Sequence, residues 1–257
     1  GLIKEAILLR YQLLPYIYTL FYESTITGLP LLRPMFFAES DGGLEEVEDQ
    51  FLLGSALLHK PVTKPAEQGL TVALPEGSLW YDYFTLDALP RKGSVGLEMG
   101  LERMALFLAA GSIVPLKMRQ RRSSKAMKGD PFTLLIALDP LMQAAQGTVY
   151  IDDGLSFDFE QGAAIYRRLA YHPDGSLSCT PADSFLLGKK HLDTRQISTS
   201  VEAIVITGFK TMPKSARLVD SSDSHANLVL EQDSSAIVRI RKPPVFLDAH
   251  WTIQFAF

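Results

Sequence analysis

Residues 2–23 constrain this chain more than any other stretch. Leu2, Ala6, Leu9, Leu13, Ile17 and Leu20 recur at spacings of three and four, the period of an α-helix. The other faces carry Ile3, Ile7, Leu8, Leu14, Tyr16, Tyr18 and Phe21. A helix that is apolar nearly all round needs neighbours on most sides. Pro15 has no amide to donate and crowds the carbonyl one turn earlier, so it predicts a kink. Gly28-Leu29-Pro30 predicts the stop. A bilayer span is the rival reading. Lys4, Glu5 and Arg10 interrupt the segment, however, and the uncharged stretch from Tyr11 to Tyr22 falls well short of the roughly 20 residues a bilayer core requires. The expectation is a buried helix that does not span a membrane.

Little after Pro30 promises another long helix. Glu45–Leu53 is the main candidate, for one or two turns. The rest reads as β: short runs rich in β-branched and aromatic residues, separated by Gly, Pro, Asp and Ser. A first group covers Leu31–Ala38, Leu57–Val62, Leu70–Leu74, Leu79–Phe84, Ala105–Ala109 and Ser112–Pro115. A second covers Phe132–Leu138, Thr148–Ile151, Ser156–Phe159, Ile165–His172, Ser176–Cys179, Val201–Thr207, Ser215–Val219, Asn227–Leu230, Ala236–Arg241 and Trp251–Phe255. Such spacing predicts two antiparallel sandwiches in series. Between the groups, Lys117–Lys128 carries six cations and no acid, a composition shift that marks a domain junction. Two sandwiches leave most of the first helix uncovered. It is therefore expected to belong to a larger body whose other elements lie upstream of Gly1.

The search for chemistry is mostly exclusion. Hydrophobic residues are 47% and charged residues 21%, a globular balance, and the net charge of −4 gives no basic field for nucleic acid. The single cysteine, Cys179, excludes an internal disulfide and a zinc site built from paired cysteines. There is no GxSxG elbow, P-loop, dinucleotide fingerprint or HExxH. His59, His172, His191, His225 and His250 are too far apart to pair at metal-ligand spacing. Asp152-Asp153-Gly154 lies between strand-like runs. Glycoside hydrolysis needs two converging carboxyls, whereas neighbours on a strand point apart, so a turn closed by Gly154 is the expected role. Glu45, Glu46, Glu48 and Asp49 read as solvated helix surface. The segment 117–128 lacks interleaved aromatics and reads as exposed linker rather than as a polyanion site. No N-glycosylation acceptor, targeting signal, retention tetrapeptide or prenylation box is visible.

The residues themselves resemble a known family. Arg10-Tyr11-Gln12-Leu13-Leu14-Pro15-Tyr16-Ile17-Tyr18-Thr19-Leu20-Phe21 resembles the last helix of the catalytic barrel in family-31 glycoside hydrolases. Gly28–Met35, Asp49–Gly54, Leu57–Val62 and Ala110–Pro115 are similar to the segments that follow it there, and Tyr150–Gly154 to a hairpin of the family's distal β domain. Met118–Ser124, Met127, Asp130–Leu134 and the ending from Arg241-Lys242-Pro243 through Trp251-Thr252-Ile253 resemble one branch, the glucosidase II α subunits of the endoplasmic reticulum.

The resemblance implies a mainly β chain. An N-terminal helix (1–40 with its connection) would complete an upstream (β/α)8 barrel. A proximal C-terminal β domain (41–129) and a distal β-sandwich (130–257) would follow. It implies a parent enzyme that trims glucose from N-linked glycans by retaining hydrolysis, without a cofactor. The implied partners are the barrel of the same subunit, the β subunit of glucosidase II and a glucosylated N-glycan, and the implied address is the endoplasmic-reticulum lumen. The family's two catalytic aspartates belong to motifs absent here, so no catalytic, cofactor-binding or metal-ligating residue is assigned to this chain. Two alternatives stay open. One is a carbohydrate-binding sandwich, in which Trp80-Tyr81-Asp82-Tyr83 would stack on a sugar, although aromatic strand residues are more often core. The other is the same portion of a cytosolic neutral α-glucosidase.

Overall fold

The computed structural model describes residues 1–38, 43–62, 69–75, 77–90, 93–98, 104–182, 192, 197–219, 225–233 and 237–257. The expected first helix is present but broken in two: α1 (Leu2–Gln12) and α2 (Leu14–Thr27). Leu13 sits between them at φ −81°, ψ −7°, and Pro15 lies in the first turn of α2. Proline there takes away the amide that would continue the helical ladder. Beside the break, the carbonyl of Gln12 accepts the amide of Lys117 at 3.1 Å. Gly28 closes α2 in the left-handed conformation, φ 73°.

Strands follow: β1 (Leu32–Arg33), β2 (Phe51–Leu53), β3 (Leu57–Lys60), β4 (Gly69–Ala73), β5 (Trp80–Asp82), β6 (Ser94–Glu98), β7 (Ala105–Ala109), β8 (Ser112–Leu116) and β9 (Phe132–Ala137). The remainder are β10 (Ala145–Ile151), β11 (Ile165–Tyr171), β12 (Ser176–Pro181), β13 (Val201–Thr207), β14 (Ser215–Val219), β15 (His225–Leu228), β16 (Leu230–Gln232), β17 (Val238–Arg241) and β18 (Trp251–Ala256). Among the described residues a smaller sheet runs β1-β2-β3-β7-β5, and β4 pairs with β6. A larger sheet runs β15-β14-β18-β12-β11-β10-β8-β9-β13-β17-β16. Its two edges, β15 and β16, are separated in the chain by Val229 alone, so the sheet curls nearly shut.

The mainly β fold agrees with the expectation; several details do not. Glu45–Leu53 is not helical: Glu45 and Glu46 form a turn and Phe51–Leu53 is strand. Gln50 fixes that extended path by pairing with both backbone groups of Ala73, at 2.6 and 2.9 Å. Leu31–Ala38 is strand only at Leu32–Arg33. Pro34 cannot donate to a ladder, and Met35–Phe37 coil into a short 3-10 turn. Ser156–Phe159 is not a strand either; Asp158–Gln161 form a 3-10 turn closed by Gly162. Not every pairing is antiparallel, because β13 runs parallel to β9 and β10 parallel to β8. Strand β8, grouped by sequence with the first set, pairs antiparallel with β9 in the larger sheet. The turn at Ala110-Gly111 therefore carries the chain from one sheet to the other. The predicted run 236–241 begins at Ala236, which lies outside the described residues.

Three apolar clusters hold these layers. One fills the larger sheet, around Leu134, Ile136, Val149, Leu169, Leu177, Ile204 and Ile253. Another fills the smaller sheet, around Met35, Leu58, Val72, Trp80 and Phe107. The third lies between, where Leu9, Leu13, Tyr16 and Leu20 of the helices meet Leu57, Tyr81 and Leu108 of one sheet and Val114, Leu116 and Leu135 of the other. Burying such side chains contributes about 1.5–3 kcal/mol each, so this middle layer fixes the two sheets to each other through α2.

Candidate functional site

The inner face of α2 is bound on two sides. Toward the smaller sheet, the Tyr16 hydroxyl donates to the carbonyl of Leu53 at 3.0 Å and accepts the amide of Ala56 at 3.2 Å. Burial pushes the Tyr16 phenol up to about 12, so it stays protonated and able to donate. Gly54 lies beneath it at φ 62°, and a Cβ there would stand 2.2 Å from the Tyr16 hydroxyl oxygen. Toward the larger sheet, the Thr19 hydroxyl accepts the amide of Tyr150 at 3.0 Å. Tyr22 stacks on Tyr150 with ring centroids 3.8 Å apart, and the Tyr166 ring meets Tyr22 edge-on. Glu23 Oε1 accepts the hydroxyls of Thr148 at 2.5 Å and Tyr166 at 3.0 Å. Tyr18 donates to Asp152, 2.7 and 2.9 Å from its two carboxyl oxygens. Desolvation first, then the hydrogen bond and charge of Asp152, hold the Tyr18 phenol well above the ordinary tyrosine range.

Sequence reasoning missed this tyrosine latch. Its signal was present: Tyr18 and Tyr22 are one helical turn apart, and Tyr150 and Tyr166 face each other across an antiparallel pair.

Asp152 and Asp153 occupy the turn expected of them. Asp152 accepts the amide of Gly154 at 2.7 Å, and Asp153 accepts those of Leu155 and Ser156 at 3.0 Å each. These bonds hold the Asp153 carboxyl below the usual carboxylate range. With its oxygens committed to backbone amides and to Tyr18, the pair braces the turn against α2.

The basic segment is not simply an exposed linker. Lys117 is buried: its ammonium donates to the carbonyls of Met127 and Lys128 at 2.9 and 3.2 Å and lies 4.6 Å from the centre of the Phe132 ring. Burial lowers its pKa to about 8. Arg121 grips Asp130 with two nitrogens, and Arg119 pairs with Glu202 at 3.0 Å. The acids come from outside the segment, which its composition alone could not reveal.

Trp80, Tyr81, Asp82 and Tyr83 are all buried, so they form core and offer no face to a sugar. The acidic cluster near residue 45 lies on a turn, with Asp49 paired to Lys60 at 2.5 Å. His59 is held by the carbonyl of Ala105, and burial lowers its pKa; His172 bonds Ser178. His191 lies outside the described residues. Cys179 is buried, and burial pushes its thiol up to about 12, which removes thiolate reactivity. No group of metal-ligating side chains converges among the described residues. No helix among them is long and apolar enough to cross a membrane.

In contrast to the bound inner face, the outer face of α1 and α2 is apolar and open. Leu2, Ile3, Ile7, Phe21 and Ile26 are exposed, Ile3 by 80% and Phe21 by 56%.

Residues 28–114 match the family model described as the glycosyl hydrolase family 31 C-terminal domain. The whole chain is 37% identical to a probable glucan 1,3-alpha-glucosidase of Oryza sativa subsp. japonica, of which it spans 28%. It is 34% identical over 98% of its length to a neutral alpha-glucosidase AB of Dictyostelium discoideum, spanning 26% of that protein. Among solved structures, a DNJ-bound glucosidase II alpha subunit superposes over 99% of this chain and 29% of its own, with a TM-score of 0.89 and 30% identity. The chain thus spans between a quarter and a third of the relatives it matches. Their agreement with the helix-and-two-sheet architecture leads to one conclusion: the chain belongs to glycosyl hydrolase family 31 and carries that family's C-terminal domain.

Proposed function

We propose that this chain is the C-terminal, non-catalytic portion of an endoplasmic-reticulum α-glucosidase that trims glucose from N-linked glycans. The observation that carries the reading is the two-sided character of α1 and α2. The inner face of α2 is locked to both sheets and Leu9 of α1 is buried beside it, while Leu2, Ile3, Ile7 and Phe21 lie open to solvent. An apolar face of this kind marks an interaction surface. Its occupant in this reading is a catalytic (β/α)8 barrel, to which α1 and α2 contribute the closing wall. The units are 1–40 as that wall and connection, 41–129 as the proximal β domain with β8 reaching across, and 130–257 as the distal sandwich.

The chemistry would be retaining hydrolysis: a carboxylate nucleophile forms a covalent glucosyl intermediate, and a second carboxyl serves as acid and then as base. Both carboxyls belong to the barrel, and no cofactor is needed. The chain's own work is positional. It buries barrel surface, and through the tyrosine latch it sets where the Asp152–Gly154 turn stands relative to the barrel helix. A regulatory β subunit is the expected protein partner. A solved heterodimeric complex of ER glucosidase II, catalytic subunit with the binding domain of the regulatory subunit, matches this chain with a TM-score of 0.87 and supports that reading.

The test is made in the whole enzyme, with Ile3→Asp and Phe21→Asp introduced together. Both side chains are exposed in this chain, so the substitutions should leave its own unfolding midpoint unchanged. In the whole enzyme they should lower thermal stability and the release of glucose from a monoglucosylated N-glycan. Unchanged stability and trimming would refute the wall assignment.

A further inference from the structure

We propose that the groove between the smaller sheet and the outer face of β9, β13 and β17 binds an acidic polypeptide segment carrying apolar anchors. The groove is open and encloses about 850 Å³. One wall is Tyr83, Phe84 and Leu86, which follow β5; Leu135 and Val205 lie at its floor, and Met118 stands at its rim. Phe84 and Met118 present exposed apolar side chains to it.

Charge selects the occupant. Arg119, Arg239, Arg241 and Lys242 line the groove with one carboxylate, Glu202, and a second, Glu231, stands beside it opposite Arg239 across the β16–β17 pair. Glu202 is taken by Arg119 at 3.0 Å, and Arg241 is taken by Glu231 at 2.8 Å. Arg239 and Lys242 keep no ion pair among the described residues, and Arg239 is exposed. The whole chain is net acidic, at −4, so this is a local concentration of positive charge beside apolar surface. A segment with glutamates or aspartates beside leucine or phenylalanine complements both features. A sugar fits less well: Phe84 offers an exposed ring, but the polar groups around the groove are dominated by four cations rather than by carboxylates. Nucleic acid also fits less well, because the lining has no succession of open rings on which bases could stack.

The experiment is fluorescence anisotropy on the full chain, with a fluorescein-labelled peptide of alternating glutamate and leucine. Saturable binding is expected. Arg239→Glu should weaken it about ten-fold by placing like charges together, while Arg122→Glu, an exposed cation outside the groove, should leave it unchanged. Raising salt from about 50 to about 500 mM should weaken it further. The proposal fails if the peptide does not bind, or if Arg122→Glu weakens binding as much as Arg239→Glu. It fails equally if a lysine-leucine peptide or a single-stranded oligonucleotide binds as well, or if a gluco-oligosaccharide displaces the peptide.

Discussion

Single residues decide how closely the layers approach. Gly54 is the sharpest case. Alanine there would adopt a strained positive φ and drive its Cβ into Tyr16 and Leu20. Gly54→Ala should therefore destabilise the chain by about 1–3 kcal/mol in urea unfolding. Tyr16→Phe should cost a similar amount, about 1–3 kcal/mol, because it leaves a carbonyl and an amide at the turn without their partner. Lys117 makes a prediction about pH. Its folded pKa is lowered from 10.5 to about 8, so between those values the unfolded chain holds the extra proton. Stability from this group is present above 10.5 and is lost as pH falls through 8. Relative to Lys117→Met, the parent chain should gain stability as pH rises from 8 to 10, measured by denaturant titration at each pH. A flat difference would show that the ammonium is not desolvated. None of this could be read from the sequence. Gly54 is one glycine in a run of ordinary composition, and the partners of Lys117 are backbone carbonyls that no residue type announces.

At the scale of elements, the latch between α2 and the β10–β11 pair carries the geometry. Tyr22→Ala and Tyr150→Ala should each destabilise the chain. In a double-mutant cycle they should show a coupling of about 0.5–1.5 kcal/mol, the worth of the stacked pair beyond its buried area. A coupling near zero would mean that the rings merely lie side by side. Most elements were legible. The period of 3.6 predicted one helix over 2–23, Pro15 foretold the kink at which it divides into α1 and α2, and apolar runs located β3, β7, β9, β11, β13 and β18. The failures share a cause. β2 is only three residues long, and β6, although it alternates, offers just two apolar residues, Val95 and Leu97, around a glycine. The strands expected at 31–38 and 156–159 gave way to turns where Pro34 or the Asp153 cap redirects the backbone. The pairing of β8 with the larger sheet depends on contacts far along the chain, which local pattern does not encode.

For the whole molecule, the first helix is the segment to explain: it is apolar nearly all round and is followed by β structure. In the structure Ile3 and Phe21 are open to solvent while Leu9 and Leu20 are buried. No residue was read from the sequence as catalytic, and the structure commits Asp152 and Asp153 to backbone amides and Tyr18. The central claim is that this chain supports an α-glucosidase without supplying its catalytic groups. The most direct measurement is turnover of an aryl α-glucoside by the purified chain and by the whole enzyme that carries it. The account predicts no turnover by the chain alone and turnover by the whole enzyme that survives Asp153→Asn. Hydrolysis by the chain alone, abolished by Asp153→Asn, would contradict it.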